Sequence, residues 1–302
     1  MDTADDRKVK GNNMKISELF KKEKTVLSFE VFPPKKTSGI ESIRAAIDQI
    51  AVCSPDYISV TYGAGGNIAN TFTRDIAAHI TNDCKIEAMA HITCVNNTKE
   101  EVLTVLDGFA DAGIENILAL RGDINPDIPP KTDFSHASDM ISFIREHRKY
   151  DNIGISGACY PEGHTQAESL ADDILNLRKK VDAGAEELIT QLFFDNAFFY
   201  DFREKAKIAG INVPISAGIM PVTSKSQIER MVTMCGASLP QKFVRMVTKY
   251  EHRPDALIDA GIAYAADQIA DLLSSGVDGI HIYTMNNPYV ARKLTGMIGK
   301  LL

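Results

Sequence analysis

Several things are missing from this sequence, and each absence removes a class of function. No apolar run approaches the roughly 20 residues that a bilayer-spanning helix needs. Positive charge is not in excess: 33 Lys and Arg stand against 40 Asp and Glu, a net charge of −7. That excludes a general basic field for gathering nucleic acid, so any anionic ligand must be held by a local pocket. Cysteine is sparse. The five (Cys53, Cys84, Cys94, Cys159, Cys235) are odd in number, scattered and without a CxxC pair. They read as free thiols in a reducing cytosol, so a cytoplasmic protein without a zinc or iron–sulfur site is expected, and no metal. No Pro/Ser/Gly-rich linker divides the 302 residues, which read as one domain. The first thirteen residues, MDTADDRKVKGNN, lack the apolar stretch of a signal peptide. They are expected to be a disordered leader, with the domain running over 14–302.

What is present is the composition of an ordinary globular enzyme, 44% hydrophobic and 24% charged. A short amphipathic helix is expected over Met14–Lys22. After it an apolar, β-branched run followed by a helical stretch recurs eight times. The strands fall at Thr25–Phe32, Asp56–Tyr62, Ile86–Cys94, Asn116–Leu120, Gly154–Tyr160, Glu187–Leu192, Val213–Ile219 and Gly279–Thr284. Each is apolar at most positions, as strands covered on both faces are. Spacings of three and four mark helices such as Ile40–Val52, Lys99–Ala112, Ala167–Ala183 and Lys225–Cys235. A weak repeat of helix end, glycine and strand places Gly113, Gly184, Gly210 and Gly276 where a helix terminates left-handed. Eight such units predict a single (β/α)8 barrel of the α/β class, with a doubly wound open sheet as the alternative. Between the last two strands the chain is too long for one helix, so extra helices are expected at Leu239–Tyr250 and Pro254–Ser274.

Barrels of this kind carry their chemistry at the C-terminal ends of the strands. Seven of those eight places hold Glu30, Thr61 with Tyr62, His91, Arg121–Gly122–Asp123, Tyr160 with Glu162 and His164, Gln191, and Tyr283 with Thr284 and Asn286. Glu30 lies among Phe29, Val31 and Phe32, where an unpaired carboxylate is costly, so it is salt-bridged or functional. His91 alone would more often be a satisfied core histidine, and Gln191 before Phe193 could simply end a strand. The Gly63–Gly66 cluster could cradle a phosphate or form a tight turn, but it has neither the P-loop Lys-Ser/Thr nor GxGxxG spacing. Asp173, Asn176 and Lys180 share one helix face. A charged face is usually solvated, yet at a barrel mouth it could also meet a ribose and pyrophosphate. The common rim favours function for the set.

Taken in order, FEVFPPK, SVTYGAGG, AHITC, ALRGD, YPEGH, DILNLRKKVDAGA, ITQLFFD, GIMPV and HIYTMN resemble the methylenetetrahydrofolate reductases. The likeness runs from about Leu27 to Asn286 and is to the short bacterial form, without the regulatory domain of the eukaryotic enzymes. It implies an FAD-dependent barrel with a role in one-carbon metabolism. The positions matching flavin contacts are Thr61, Tyr62, Ala64, His91, Arg121, Gly122, Asp123, Ala137, Tyr160, His164, Asp173, Asn176, Lys179 and Lys180. Those matching folate contacts are Glu30, Asp123, Gln191 and Gln227, with Gln191 shared by the nicotinamide. The match lapses at Asn287, before Pro288, where some bacterial members carry an arginine, and at Met231, where some carry a phenylalanine.

The resemblance implies ping-pong chemistry. NAD(P)H gives a hydride to the flavin and leaves, and methylenetetrahydrofolate then takes the same place. Glu30 is the expected general acid at N10 of the folate. That task wants a carboxyl still protonated near neutrality, which apolar surroundings favour. Asp123 is expected to hold the pterin and to lower the flavin potential. A homo-oligomer, often a tetramer, is implied as well. Two other readings stand beside this one: a flavin barrel oxidising proline, and a reductase subunit that needs a partner electron donor.

Overall fold

The computed structural model describes residues 14–22, 24–34, 39–62, 67–95, 97–123 and 131–302. The expected leader over residues 1–13, the Gly63–Gly66 cluster and Ala64 within it lie outside the described residues. Eight parallel strands close into a barrel in chain order: β1 (Val26–Val31), β2 (Tyr57–Val60), β3 (Glu87–Thr93), β4 (Asn116–Leu120), β5 (Gly154–Cys159), β6 (Glu187–Thr190), β7 (Ile215–Ile219) and β8 (Gly279–Tyr283). The seam pairs β8 with β1, with Ser28 opposite His281 and Glu30 opposite Tyr283. That closure rules out the open doubly wound sheet.

Several expected strands end too late. Thr61, Tyr62, Cys94, Tyr160, Gln191, Leu192 and Thr284 lie beyond the ladders, in the loops at the C-terminal rim. At the other end β7 begins at Ile215 rather than Val213, since Pro214 has no N–H to give a ladder.

The helices that wrap the barrel include α1 (Ile40–Ala51), α2 (Asn67–Asn82), α3 (Lys99–Asp111), α4 (Ala137–Glu146), α5 (Leu170–Asp182), α6 (Asn196–Ile208) and α7 (Lys225–Cys235). The chain between β7 and β8 adds α8 (Gln241–Tyr250) and α9 (Pro254–Ser274), as expected, and α10 (Pro288–Ile298) follows β8. Helix α5 starts three residues later than expected because Ser169 caps it, accepting from the Asp172 N–H. Gly113, Gly184, Gly210 and Gly276 all have positive φ just past a helix end. Among the described residues no helix is long and apolar enough to cross a membrane.

The segment expected as helix Met14–Lys22 is instead a six-residue 3-10 helix, Ile16–Lys21. The amide of Asn116 accepts from the Ile16 N–H (2.9 Å) and donates to the Met14 carbonyl (3.0 Å), binding backbone groups that an α-helix would use itself. Ile16 and Leu19 pack on Val26, Tyr57, Met89, Leu118 and Ile189, plugging one end of the barrel.

Strand alternation then sorts the core. Leu27, Phe29 and Val31 of β1 join the large apolar layer between barrel and helices. Ser28 and Glu30, on the opposite face, look into the barrel. The interior above the plug is polar: the buried Glu187 carboxyl receives the hydroxyls of Tyr57 (2.9 Å), Ser156 (2.8 Å) and Ser216 (2.9 Å). Burial raises the pKa of Glu187.

Candidate active site

At the centre of the rim stands Glu30, the last inward residue of β1, with 20% of its side chain exposed. Two buried imidazoles flank one of its oxygens. His91 Nε2 lies 3.6 Å and His281 Nε2 3.7 Å from Glu30 Oε2, and neither nitrogen has a hydrogen-bond partner. Burial pushes the pKa of His91 down to about 4, outweighing the pull of the Glu30 charge, so this ring is neutral near pH 7. Thr284 fixes the Glu30 backbone by donating its hydroxyl to the carbonyl at 2.7 Å. Tyr283 reaches over β7 to donate to the Thr190 carbonyl of β6 at 2.7 Å. Only glycine at 218 permits this crossing, because a Cβ there would stand 2.3 Å from the Thr190 oxygen and 2.7 Å from the tyrosine oxygen.

Beside this centre a cleft of about 440 Å³ opens between the ends of β4 and β5 and the helices α4 and α5. It is lined by eight of the positions picked from the sequence or its resemblance, Arg121, Ala137, Tyr160, His164, Asp173, Asn176, Lys179 and Lys180, and also by Cys159. The Asp173 carboxylate accepts from the His164 N–H at 3.1 Å, and Lys179 donates to Asn176 at 3.0 Å. The Tyr160 ring meets His164 edge-on at 4.7 Å. Burial raises the pKa of Tyr160 and Asp173 and lowers that of His164. Lys180 donates to the Ala158 carbonyl, and burial lowers the pKa of its ammonium. Among the described residues Arg121, Lys179 and Lys180 form no ion pair. Three cations in one cleft, with the half-buried Lys180 offset only by the charge of Asp173, are a receptor for an anion.

The remaining positions surround these two groups. Gly122 turns with φ 82°, leading from Arg121 to Asp123, which is exposed. The Thr61 carbonyl accepts from Thr73 at 2.9 Å, and the Tyr62 hydroxyl pairs with the Asn97 amide. The Gln191 side chain bends onto its own loop, its oxygen accepting from the Leu192 N–H at 2.8 Å. Gln227 sits in the first turn of α7; its oxygen takes the Thr223 N–H and hydroxyl, both at 2.9 Å, leaving a buried Nε2 without a partner. Asn287 caps α10 by accepting from Tyr289 and Val290, so its side chain is committed to the helix.

Three polar residues of the site were not singled out from the sequence. Asn97 holds Tyr62, Gln166 accepts from Arg121, and His281 faces Glu30. His281 lies within HIYTMN, two residues before Tyr283, and the period of two along a strand is the signal that puts both inside the barrel.

With the geometry established, comparison with known proteins is informative. The profile of the family described as methylenetetrahydrofolate reductase matches residues 15–299. The 5,10-methylenetetrahydrofolate reductase of Escherichia coli is 34% identical over 273 residues, covering 90% of each chain. Methylenetetrahydrofolate reductase (NADH) 1 of Arabidopsis thaliana is 34% identical over 291 residues. Methylenetetrahydrofolate reductase 1 of Schizosaccharomyces pombe is 32% identical over 284 residues. This chain spans about half the length of the plant and yeast relatives, 48% and 47%. A solved structure described as an uncharacterized protein from Clostridium thermocellum that binds two copies of 5-methyl-5,6,7,8-tetrahydrofolic acid shares the fold. Its TM-score is 0.64 at 15% identity, covering 94% of this chain and 100% of that one.

Proposed function

Because this chain belongs to the methylenetetrahydrofolate reductase family, we propose that it reduces the methylene group of 5,10-methylenetetrahydrofolate to a methyl group, with FAD as resident carrier and NAD(P)H as hydride donor. The observation that carries the reading is the juxtaposition of a half-enclosed carboxyl, Glu30, with the unpaired cations of the neighbouring cleft. The residues fit a flavin dinucleotide. Lys179, Lys180 and Arg121 would meet the pyrophosphate, Asp173 and Asn176 a ribose, and Ala137 leaves room at the start of α4. A bound flavin supplies a two-electron carrier that accepts hydride from reduced nicotinamide and yields it to the folate carbon.

The protein's own part is orientation and one proton. Glu30 donates that proton to N10 of the folate as the bond from N10 to the methylene carbon breaks, leaving the iminium cation at N5 that accepts hydride. Gln191 lies at the end of β6, where one side chain can serve two ligands that occupy the same place in turn. Asp123, exposed at the rim, offers an acceptor to the pterin N–H groups.

Glu30→Gln tests the assignment, because it keeps size and hydrogen bonding but removes the proton. In stopped flow, bleaching of the flavin by NADH stays within about tenfold of the parent. Reoxidation by methylenetetrahydrofolate falls by on the order of 10²–10⁴, the usual worth of a positioned general acid. Equal slowing of both half-reactions would mean that Glu30 maintains the site rather than moving a proton.

A further inference from the structure

The proton on Glu30 has a keeper on the neighbouring strand. His281 is fully buried on β8, and its Nδ1 lies 2.7 Å from the Ser28 hydroxyl. One of the two must donate. Ser28 has a single proton and two other calls on it: the Ile280 carbonyl at 3.4 Å, which can only accept, and the Tyr57 phenol. The Tyr57 hydroxyl is itself 2.9 Å from the Glu187 carboxyl. The consistent arrangement has Nδ1–H of His281 donating to Ser28, which leaves Nε2 as a bare lone pair. That nitrogen has no partner and points at Glu30 Oε2, 3.7 Å away. A lone pair facing a carboxylate is repulsive, whereas a lone pair facing a protonated carboxyl is a hydrogen bond waiting to close. About 1 Å of movement by Glu30 closes it.

We propose that His281, oriented by Ser28, is a positioning residue that selects the protonated form of Glu30 and holds its proton until folate arrives. The inference rests on the reading of Glu30 as the acid. The other groups facing this pair are His91 from β3, Tyr57 from β2 with its ring 6.2 Å from the imidazole, Glu187 from β6, and Tyr283 from β8 at 5.3 Å. Tyr283 donates to the Thr190 carbonyl and Tyr57 is engaged with Glu187, so neither phenol's proton is free for Glu30. His91 offers a second nitrogen to the same oxygen, but among the described residues no hydrogen bond comparable to that of Ser28 sets its tautomer.

The first measurement needs no variant. Nitrogen-15 NMR of the folded protein is expected to give His281 as the Nδ1-protonated tautomer, and the Nε2-protonated form would overturn the proposal. The second follows the carbon-13 signal of the Glu30 carboxyl against pH in the flavin-loaded protein without folate. In His281→Phe, which keeps a ring but loses the acceptor, the Glu30 midpoint is expected to fall by about one unit or more. Ser28→Ala shifts it the same way by less, and covers the case in which the phenylalanine variant fails to fold. The high-pH limb of the folate half-reaction moves down with the midpoint, while flavin reduction by NADH keeps its pH profile. An unmoved midpoint in both variants defeats the proposal. A parent that never reoxidises with methylenetetrahydrofolate defeats the proposed function instead, and leaves the tautomer result standing.

Discussion

Lys180 depends on the absence of a side chain elsewhere. A Cβ at Gly157 would lie 2.7 Å from Lys180 Cδ, so the glycine on β5 makes room for the lysine stem to run inward and bring its ammonium into the cleft. Burial lowers the pKa of that ammonium and Asp173 offsets the cost only in part, so the charge is destabilising until an anion arrives. Lys180→Met keeps the stem and removes the charge. It is expected to weaken FAD binding by about 10- to 100-fold, the range of a charged hydrogen bond, while the flavin-free protein melts no lower than the parent. Fluorescence titration and thermal melts measure both, and unchanged affinity would take Lys180 out of the flavin site. Gln191→Ala is expected to weaken both half-reactions together; damage to one alone would show that the residue serves a single ligand. At this scale the sequence was legible where chemistry was unusual for its place, as with a carboxyl at an apolar strand end. It was silent where a residue acts only through a partner distant in sequence. Nothing near Gln166 announces Arg121, and nothing near Asn97 announces Tyr62.

Helices and strands were easier to read than the places where they stop. Eight apolar runs separated by helical stretches identified the barrel because both periods are intrinsic to the backbone. Where each ladder ends is decided by pairing with neighbours, so Thr61, Tyr62 and Gln191 turned out to be loop residues. The plug before β1 shows the same limit. Its apolar spacing suited an α-helix, but its backbone is claimed by Asn116, about a hundred residues later in the chain. Asn116→Ala strands an N–H and a carbonyl and is expected to lower stability by about 1–3 kcal/mol. Urea unfolding measures this, and a change within error would mean that the plug is held by Ile16 and Leu19 alone.

The molecule as a whole carries a pH dependence from acids sealed inside it. Burial raises the pKa of Glu87 from its usual 4.5 to about 7, and one of its oxygens is buried without a partner. An acid whose folded pKa is raised gives stability that is complete below 4.5 and lost as pH climbs through 7. Glu87→Gln should therefore match the parent near pH 4 and exceed it by on the order of 2 kcal/mol at pH 8. A difference that stays constant from acid to alkali would refute the linkage. His91 works in the other direction. Its folded pKa is depressed from 6.5 to about 4, so its contribution is intact above 6.5 and fades as pH falls toward 4. The closing seam has a consequence of another kind. Val26 pairs with Gly279, a separation of 279 − 26 = 253 residues, and Glu30 and His281 sit on those same two strands. During synthesis the acid strand waits for a partner made about 250 residues later. Pairings this far apart form slowly, so the proton-handling pair is assembled only as the barrel shuts. No chain interrupted before β8 can have it, and turnover in a cell extract therefore counts only molecules that have closed the seam.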